Sequence, residues 1–494
     1  MLTKSDYLRY TQCFKYLWLY KFRKNLLPKE LSAAVERVFD EGYNVESYAY
    51  KLFPDGVDAD DENLSKAIAK TKELVKSDRK IIFQPTISVN NLFCRADIIK
   101  FNDKTSEWNI YEVKSSTQVH DIHLLDLAFQ KICFEEAKFK IGRLYLVHVN
   151  GDYVRHGEIE PDKLLSKTEV TAEVIALIKR VKLDIVDARK VLEQKDEPNI
   201  KILKQCHLPY TCHFLDYCWQ HVPEDSIYKI AGGLSEEKLA MLLDQGILRI
   251  EDIPEGLITN KRGIRHHQAV KTKQVFIDRE SIAKELSQLK YPLYFLDYET
   301  NSPAVPLFDG YKPYQRIVFQ YSLHIKKTPQ SKMEHYAFLG NSFSDPSLDL
   351  VKSLKKLIGQ KGSVIAWNRV FEMGCNKEMG ERHKAYRQFM KSINSRMYDL
   401  MNTFRRGYYV HKDFHGSASI KRVLPVLVPK LSYGKLNIHE GGTASESWRV
   451  MIDPQTKKKD SRRIYGDLLK YCRLDTLAMV EILNTLNKTI IIKG

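Results

Sequence analysis

Two carboxylates and an amine lie close together in the stretch from Cys94 to Ser116. In WNIYEVKSS, the period of two along an extended strand puts Ile110, Glu112 and Lys114 on one face and Tyr111 and Val113 on the other. Asp97, in CRADIIKF, would reach the same face across a hairpin whose loop is NDKTSE. Two carboxylates hold a hard divalent cation such as Mg²⁺, and a lysine beside them orients water and steadies a pentavalent phosphate, which is the chemistry of phosphodiester hydrolysis. The competing reading is a Glu–Lys pair on a solvated strand face.

A second acidic set lies in the C-terminal half. Asp297 and Glu299, in LYFLDYETNS, are again two apart on an apolar strand, and like charges so placed repel unless a cation neutralises them. VIAWNRVFEMGCNKEM reads as a strand ending at Asn368, with Glu372 in the first turn of a helix, and Tyr471 and Asp475 share a face four apart in KYCRLDTLAMVEIL. Four acids converging on one cleft would hold two Mg²⁺ or Mn²⁺ ions. The third set is sulfur. Cys206, Cys212 and Cys218, with the distant Cys13, make four thiolates, the number a cubane iron–sulfur cluster needs; four thiolates also suit zinc, although zinc knuckles are usually closer pairs. Cys94, Cys133, Cys375 and Cys472 fall in apolar or helical stretches and are expected as small buried hydrophobes.

These residues need elements to carry them. Residues 1–80 read as helices, IIFQPTISV, LFCRADIIKF and WNIYEVKSS as a small antiparallel sheet, LLDLAFQKICFEEAKFK as a helix and RLYLVHV as a buried strand. A long amphipathic helix with Val174, Ile175, Ile178, Val181, Ile185 and Val191 at helical spacing leads to the cysteine array. Residues 223–290 read as a helical connector with no strand of any length, where GILRIEDIP and KRGIRHHQ offer a helix-hairpin-helix-like grip on phosphates or plain spacer helices. From 291 to 494, YPLYFLDYET, RIVFQYSLHI and SVIAW are strands and YGDLLKYCRLDTLAMVEILNTL is a closing helix. The fold class is thus α/β and multidomain, divided as 1–222, 223–290 and 291–494.

The 494 residues are 43% hydrophobic and 28% charged, which excludes disorder as the main state. No run reaches the roughly 18 apolar residues of a membrane span, and MLTKSDYLRY lacks the apolar stretch of a secretory signal, so no membrane partner and a cytoplasmic location are expected. Lysine and arginine number 78 against 62 acids, a net charge of +16 that favours a polyanion partner.

Asp97, Glu112 and Lys114, followed by a helix carrying Gln130, resemble the motif of the PD-(D/E)XK (restriction-endonuclease-like) superfamily in its RecB-like branch, over residues 1–222. The resemblance implies that Asp97 and Glu112 bind metal, that Lys114 is catalytic, and that Gln130 lies at the active site. Such enzymes often add a histidine or acid from the first helices; Glu46 is what GYNVESYA offers. The cysteine array is similar to the iron–sulfur staple of RecB-like nucleases, with one cysteine before the nuclease core and three after it, implying a 4Fe–4S cluster that ties the domain's ends together.

Asp297-x-Glu299, Asn368 with Phe371-Glu372, and Tyr471-x3-Asp475 resemble the DEDD exonucleases of the ribonuclease H-like fold, with Glu372 where aspartate is usual, Asp399 as a fallback acid, and Tyr471 orienting the water. The stretch Gly416 to Ser445 resembles the signature of a bacterial family, domain of unknown function 2779. Together these resemblances imply a metal-dependent nuclease with two sites, acting on single-stranded DNA or duplex ends. The rivals are a ribonuclease and a nucleic-acid-binding scaffold with one or both sites decayed; the sequence leaves protein partners open.

Overall fold

In a computed structural model of the chain, which describes residues 1–28 and 33–491, the protein is a multidomain α/β molecule of two compact units. The first comprises residues 1–221 with 303–315, and the second residues 222–302 with 316–494.

The first unit is built on a six-stranded mixed sheet, ordered Val57–Asp58, Ile81–Phe83, Ile98–Asn102, Glu107–Lys114, Ile141–Val149 and Leu165–Glu169. The expected small antiparallel sheet is therefore larger, and Glu107–Lys114 pairs in parallel with Ile141–Val149. The expected strand LFCRADIIKF is broken at Ala96–Asp97. Leu92–Arg95 belongs to a separate three-stranded sheet with Thr86–Val89 and Leu2–Thr3, while Ile98–Asn102 pairs with Glu107–Lys114. At the break, the Asp97 carboxylate takes the Val113 amide at 2.6 Å, a side-chain bond beside the backbone ladder.

The alternation along WNIYEVK holds. Ile110 enters one apolar core with Leu127, Phe129 and Val181, while Tyr111 enters another, with Phe53, Val147 and Val149. The helix Asp121–Glu136 is buried along most of its length, from His123 to Phe134, which accounts for its continuous apolar text. The helix Thr171–Glu193 buries Val174, Val181, Ile185, Ala188 and Val191, but Ile175, expected on that face, is exposed.

The second unit centres on a five-stranded sheet ordered Met333–Leu339, Ile317–Lys326, Leu293–Asn301, Ser363–Ala366 and Met397–Asp399. The first three strands are antiparallel and the last two run parallel to Leu293–Asn301. Two of these strands were not expected: Met333–Leu339 is an edge strand with a half-exposed polar text, and Met397–Asp399 has three residues, too few to show a period. The closing helix runs from Lys458 to Ile491 and buries Leu468, Tyr471, Cys472, Asp475 and Met479 on one side.

Residues 223–290 form short helices, among them Glu236–Asp244 and Lys261–Thr272, around Ile227, Leu242, Ile250 and Ile258. They also hold one two-residue strand, Phe276–Ile277, paired with Tyr409–Val410. Within KRGIRHHQ, Arg262 and Arg265 donate to the carbonyls of Gly416 and Gly407 at 2.6 and 2.7 Å, so these two cations serve packing inside the unit. No helix among the described residues is long and apolar enough to cross a membrane.

Candidate catalytic and metal-binding sites

The first site forms where the end of strand Glu107–Lys114 meets the helix Asp121–Glu136. Lys114 Nζ lies 2.7 Å from Glu112 Oε1 and 2.8 Å from Asp126 Oδ2. Gln130 Nε2 donates to Glu112 Oε2 at 2.7 Å and to Asp126 Oδ1 at 2.9 Å. Asp97 is fixed by the Val113 amide. The structure thus brings Asp97, Glu112, Lys114 and Gln130 together. Glu46 accepts hydrogen bonds from Tyr50 and Gln84, and its charge reaches Asp97.

Two residues of this site escaped sequence reasoning. Asp126 sits one helical turn before Gln130 on the same face, a spacing that could have revealed it. Lys4, whose Nζ is 2.9 Å from Glu112 Oε1, has no local signal at all, because 108 residues separate the pair.

Charge at the first site is partly balanced. Burial disfavours ionised Glu112, but Lys114 and Lys4 outweigh it and hold the carboxyl below its usual range. Asp97 goes the other way: burial first, then the Glu112 charge, lift it well above the carboxylate range. Four carboxyl groups, Glu46, Asp97, Glu112 and Asp126, face the two ammonium groups of Lys4 and Lys114, so acids outnumber cations by two. That donor set fits one hard divalent cation at Asp97 and Glu112.

In the second site, Asp297 and Glu299 on the central strand meet the closing helix. Ligand atoms of Asp297, Glu299 and Cys472 lie within 4.8 Å of one another, and Cys472 Sγ is 3.5 Å from Asp297 Oδ2. Cys472 is indeed buried, but it also touches a site acid. Asp475 is held by the Tyr433 hydroxyl, which donates to Oδ1 at 2.5 Å; Tyr433 opens the 3₁₀ helix Tyr433–Lys435, whose three residues are too few to show a period.

Burial and then the charges of Asp475, Glu299 and Glu372 raise Asp297 well above its usual value, and burial with Asp475 and Glu372 does the same for Glu299. Burial pushes Glu372 up to about 8 and Asp475 up to about 7. The four acids therefore share one field. Glu372 Oε2 is buried with no hydrogen-bonding partner among the described residues, an oxygen left over for a ligand. Asp399, the fallback acid, turns Oδ1 to the amides of Asn368 and Met401, both at 3.2 Å. Tyr471 is buried, its ring 6.3 Å from that of Tyr433, and burial together with Asp475 and Glu299 keeps its phenol protonated. Lys421 is the cation that eases Glu299 and Asp475. The clustered raised carboxyls and the orphan oxygen fit divalent cations.

The four cysteines line one cavity of about 220 Å³, with Tyr16, Leu19 and Phe214 among its other walls. All are free thiols, and Cys13 also caps the helix Phe14–Phe22. Burial, opposed by backbone amides and reinforced by the neighbouring thiols, pushes Cys13 up to about 11 and Cys212 up to about 12. Among the described residues, no three of these sulfurs lie within 4.8 Å of one another.

The domain of unknown function DUF2779 matches residues 294–419, a span that includes Asp297, Glu299, Glu372 and Asp399 and none of the first site. The chain is also similar to the uncharacterized protein MG366 of Mycoplasma genitalium, 25% identical over 214 residues, which are 40% of this chain and 32% of that protein. Its Mycoplasma pneumoniae homolog is 25% identical over 213 residues, with the same shares. The chain thus spans about a third of the length of the curated relatives it matches.

Proposed function

We propose that this protein is a metal-dependent nuclease that hydrolyses phosphodiester bonds in DNA at two sites, one of the RecB-like PD-(D/E)XK kind and one of the DEDD, ribonuclease H-like kind. The observation that carries the reading is the pair of separate buried carboxyl clusters, each on a central strand and each with more acids than the neighbouring cations can keep ionised. Divalent cations bound there would polarise the phosphate and lower the pKa of a water.

The rest is the work of the chain. At the first site Gln130 and the Val113 amide fix Glu112 and Asp97, and the Lys114 ammonium, 2.7 Å from Glu112, stands ready for a phosphate oxygen or the attacking water. At the second, Tyr433 fixes Asp475 through Oδ1, Glu372 offers Oε2, and the buried Tyr471 would orient water. The cysteine cavity supports a 4Fe–4S cluster over zinc. A tetrahedral zinc with bonds of about 2.3 Å would draw all four sulfurs to about 3.8 Å from one another, whereas no three of them stand within 4.8 Å here, and a cubane spreads its thiolates further.

The deciding experiment is a Mg²⁺ and Mn²⁺ titration of cleavage on single- and double-stranded DNA and RNA with wild type, Lys114→Ala and Asp297→Ala. The reading expects ion-dependent cleavage of DNA, with each variant losing a distinct part of it. Nucleic-acid binding without cleavage under any ion would replace the nuclease with a scaffold, and cleavage of RNA alone would make it a ribonuclease.

A further inference from the structure

Lys4 opens the helix Lys4–Gln12, and its place is set from two sides. Leu2 and Thr3 pair in parallel with Leu92 and Phe93, and Thr3 and Asp6 close a reciprocal capping box with bonds of 3.1 and 3.0 Å. The pinned helix start delivers the Lys4 ammonium to Glu112 Oε1 at 2.9 Å and Asp126 Oδ1 at 3.6 Å, with the side chain only 20% exposed. Lys114 reaches the same Glu112 oxygen at 2.7 Å, and Gln130 occupies the other. Burial works against the Lys4 charge, but Asp126, Glu112 and Asp97 together outweigh it and keep the amine above its usual range. One carboxylate oxygen thus serves two permanent cations.

We propose that Lys4 is a positioning residue of the first site that holds Glu112 and Asp126 and, by occupying Glu112 Oε1, sets how tightly the site takes a divalent cation. The inference rests on the reading of Asp97 and Glu112 as ion-binding carboxylates. A cation that shares Glu112 meets two ammonium groups within one side chain's reach. Removing one of them removes a like charge and frees an acceptor lone pair, so the ion should bind more tightly although the site has lost a contact. A lysine with a merely structural role gives the opposite sign, since loosened carboxylates bind more weakly.

The test uses the full chain carrying Asp297→Asn and Glu299→Gln, so that the second acidic set does not take the probe, and measures Mn²⁺ binding by electron paramagnetic resonance. Lys4→Met should bind Mn²⁺ about tenfold more tightly than its parent, and Lys4→Arg, which keeps the charge, should stay close to the parent. Glu112→Gln should lose the bound ion. If Glu112→Gln leaves Mn²⁺ binding unchanged, the reading of the site itself fails. If Glu112→Gln abolishes binding but Lys4→Met binds equally or more weakly, the role of Lys4 alone is overturned. Thermal unfolding covers the case of poor folding. Lys4→Met without the ion should lose stability through the unbalanced carboxylates and regain more from Mn²⁺ than the parent does, and a variant that Mn²⁺ fails to rescue counts against the proposal.

Discussion

Glu372 and Asp475 are buried acids whose values, about 8 and about 7, lie above the ordinary 4.5 and 3.8. A carboxyl raised in the folded state contributes stability that is present below its unfolded value and is lost as pH rises through its folded value. The other titrating groups leave a clean window. His123, His266 and His324, lowered to about 4, 4 and 3 by burial first, finish their effect by about pH 6.5, and Lys4 and Lys114 are raised and change only above their ordinary 10.5. Between about pH 6.5 and 8, then, the ion-free protein should lose up to about 1.4 kcal/mol per pH unit for each carboxyl still protonated in the fold, with Asp475 dropping out near its value of about 7 and Glu372 near its value of about 8. Saturating Mg²⁺ should flatten that slope. Thermal unfolding in EDTA and in Mg²⁺ across that window checks it, and a slope that is the same in both would remove the ion from the second site. Tyr433→Phe adds a directional test: the Tyr433 hydrogen bond lowers Asp475, so its loss should move the midpoint of ion-dependent cleavage to higher pH.

Charged residues two apart on a strand are legible because the period of two forces both to one face, and so Glu112 with Lys114 and Asp297 with Glu299 could be read directly. The helical partners Gln130, Tyr471 and Asp475 were legible through spacing and resemblance. What stayed hidden depends on pairing between distant segments. Lys4 arrives through Leu2–Thr3 docking on Leu92–Phe93, and Tyr433 through a short turn. Asp97 broke its expected strand because its side chain bonds backbone, a choice that apolar flanks do not reveal.

The elements bearing cysteine yield their own prediction. Cys13 stands between two N-terminal helices and the other three follow the helix Thr171–Glu193, so a cluster would close a loop of nearly the whole first unit. Loop entropy for a link of that length is worth about 5 kcal/mol. Anaerobically purified protein should be brown, and Cys212→Ser should lose the colour and the iron and unfold at lower temperature. Full stability in a colourless, zinc-loaded protein would sink the cluster.

For the molecule as a whole, the proposed reading turns on the net charge of +16, which favours a polyanion whichever of the two sites would cut it. The two acidic sites are locally negative and would repel phosphates by themselves, so affinity has to come from lysines and arginines elsewhere on the surface. Binding and cleavage should therefore separate. Affinity for single-stranded DNA, measured by fluorescence anisotropy in EDTA, should fall log-linearly and steeply between about 50 and 200 mM salt. The same slope should survive in Lys114→Ala and Asp297→Ala, since the counterions released belong to the surface contacts and neither substitution touches them. A slope near zero would mean that the charge serves something other than nucleic acid. A slope that collapses in Lys114→Ala alone would mean that the first site, with Lys4 and Lys114 side by side, is itself the main phosphate grip.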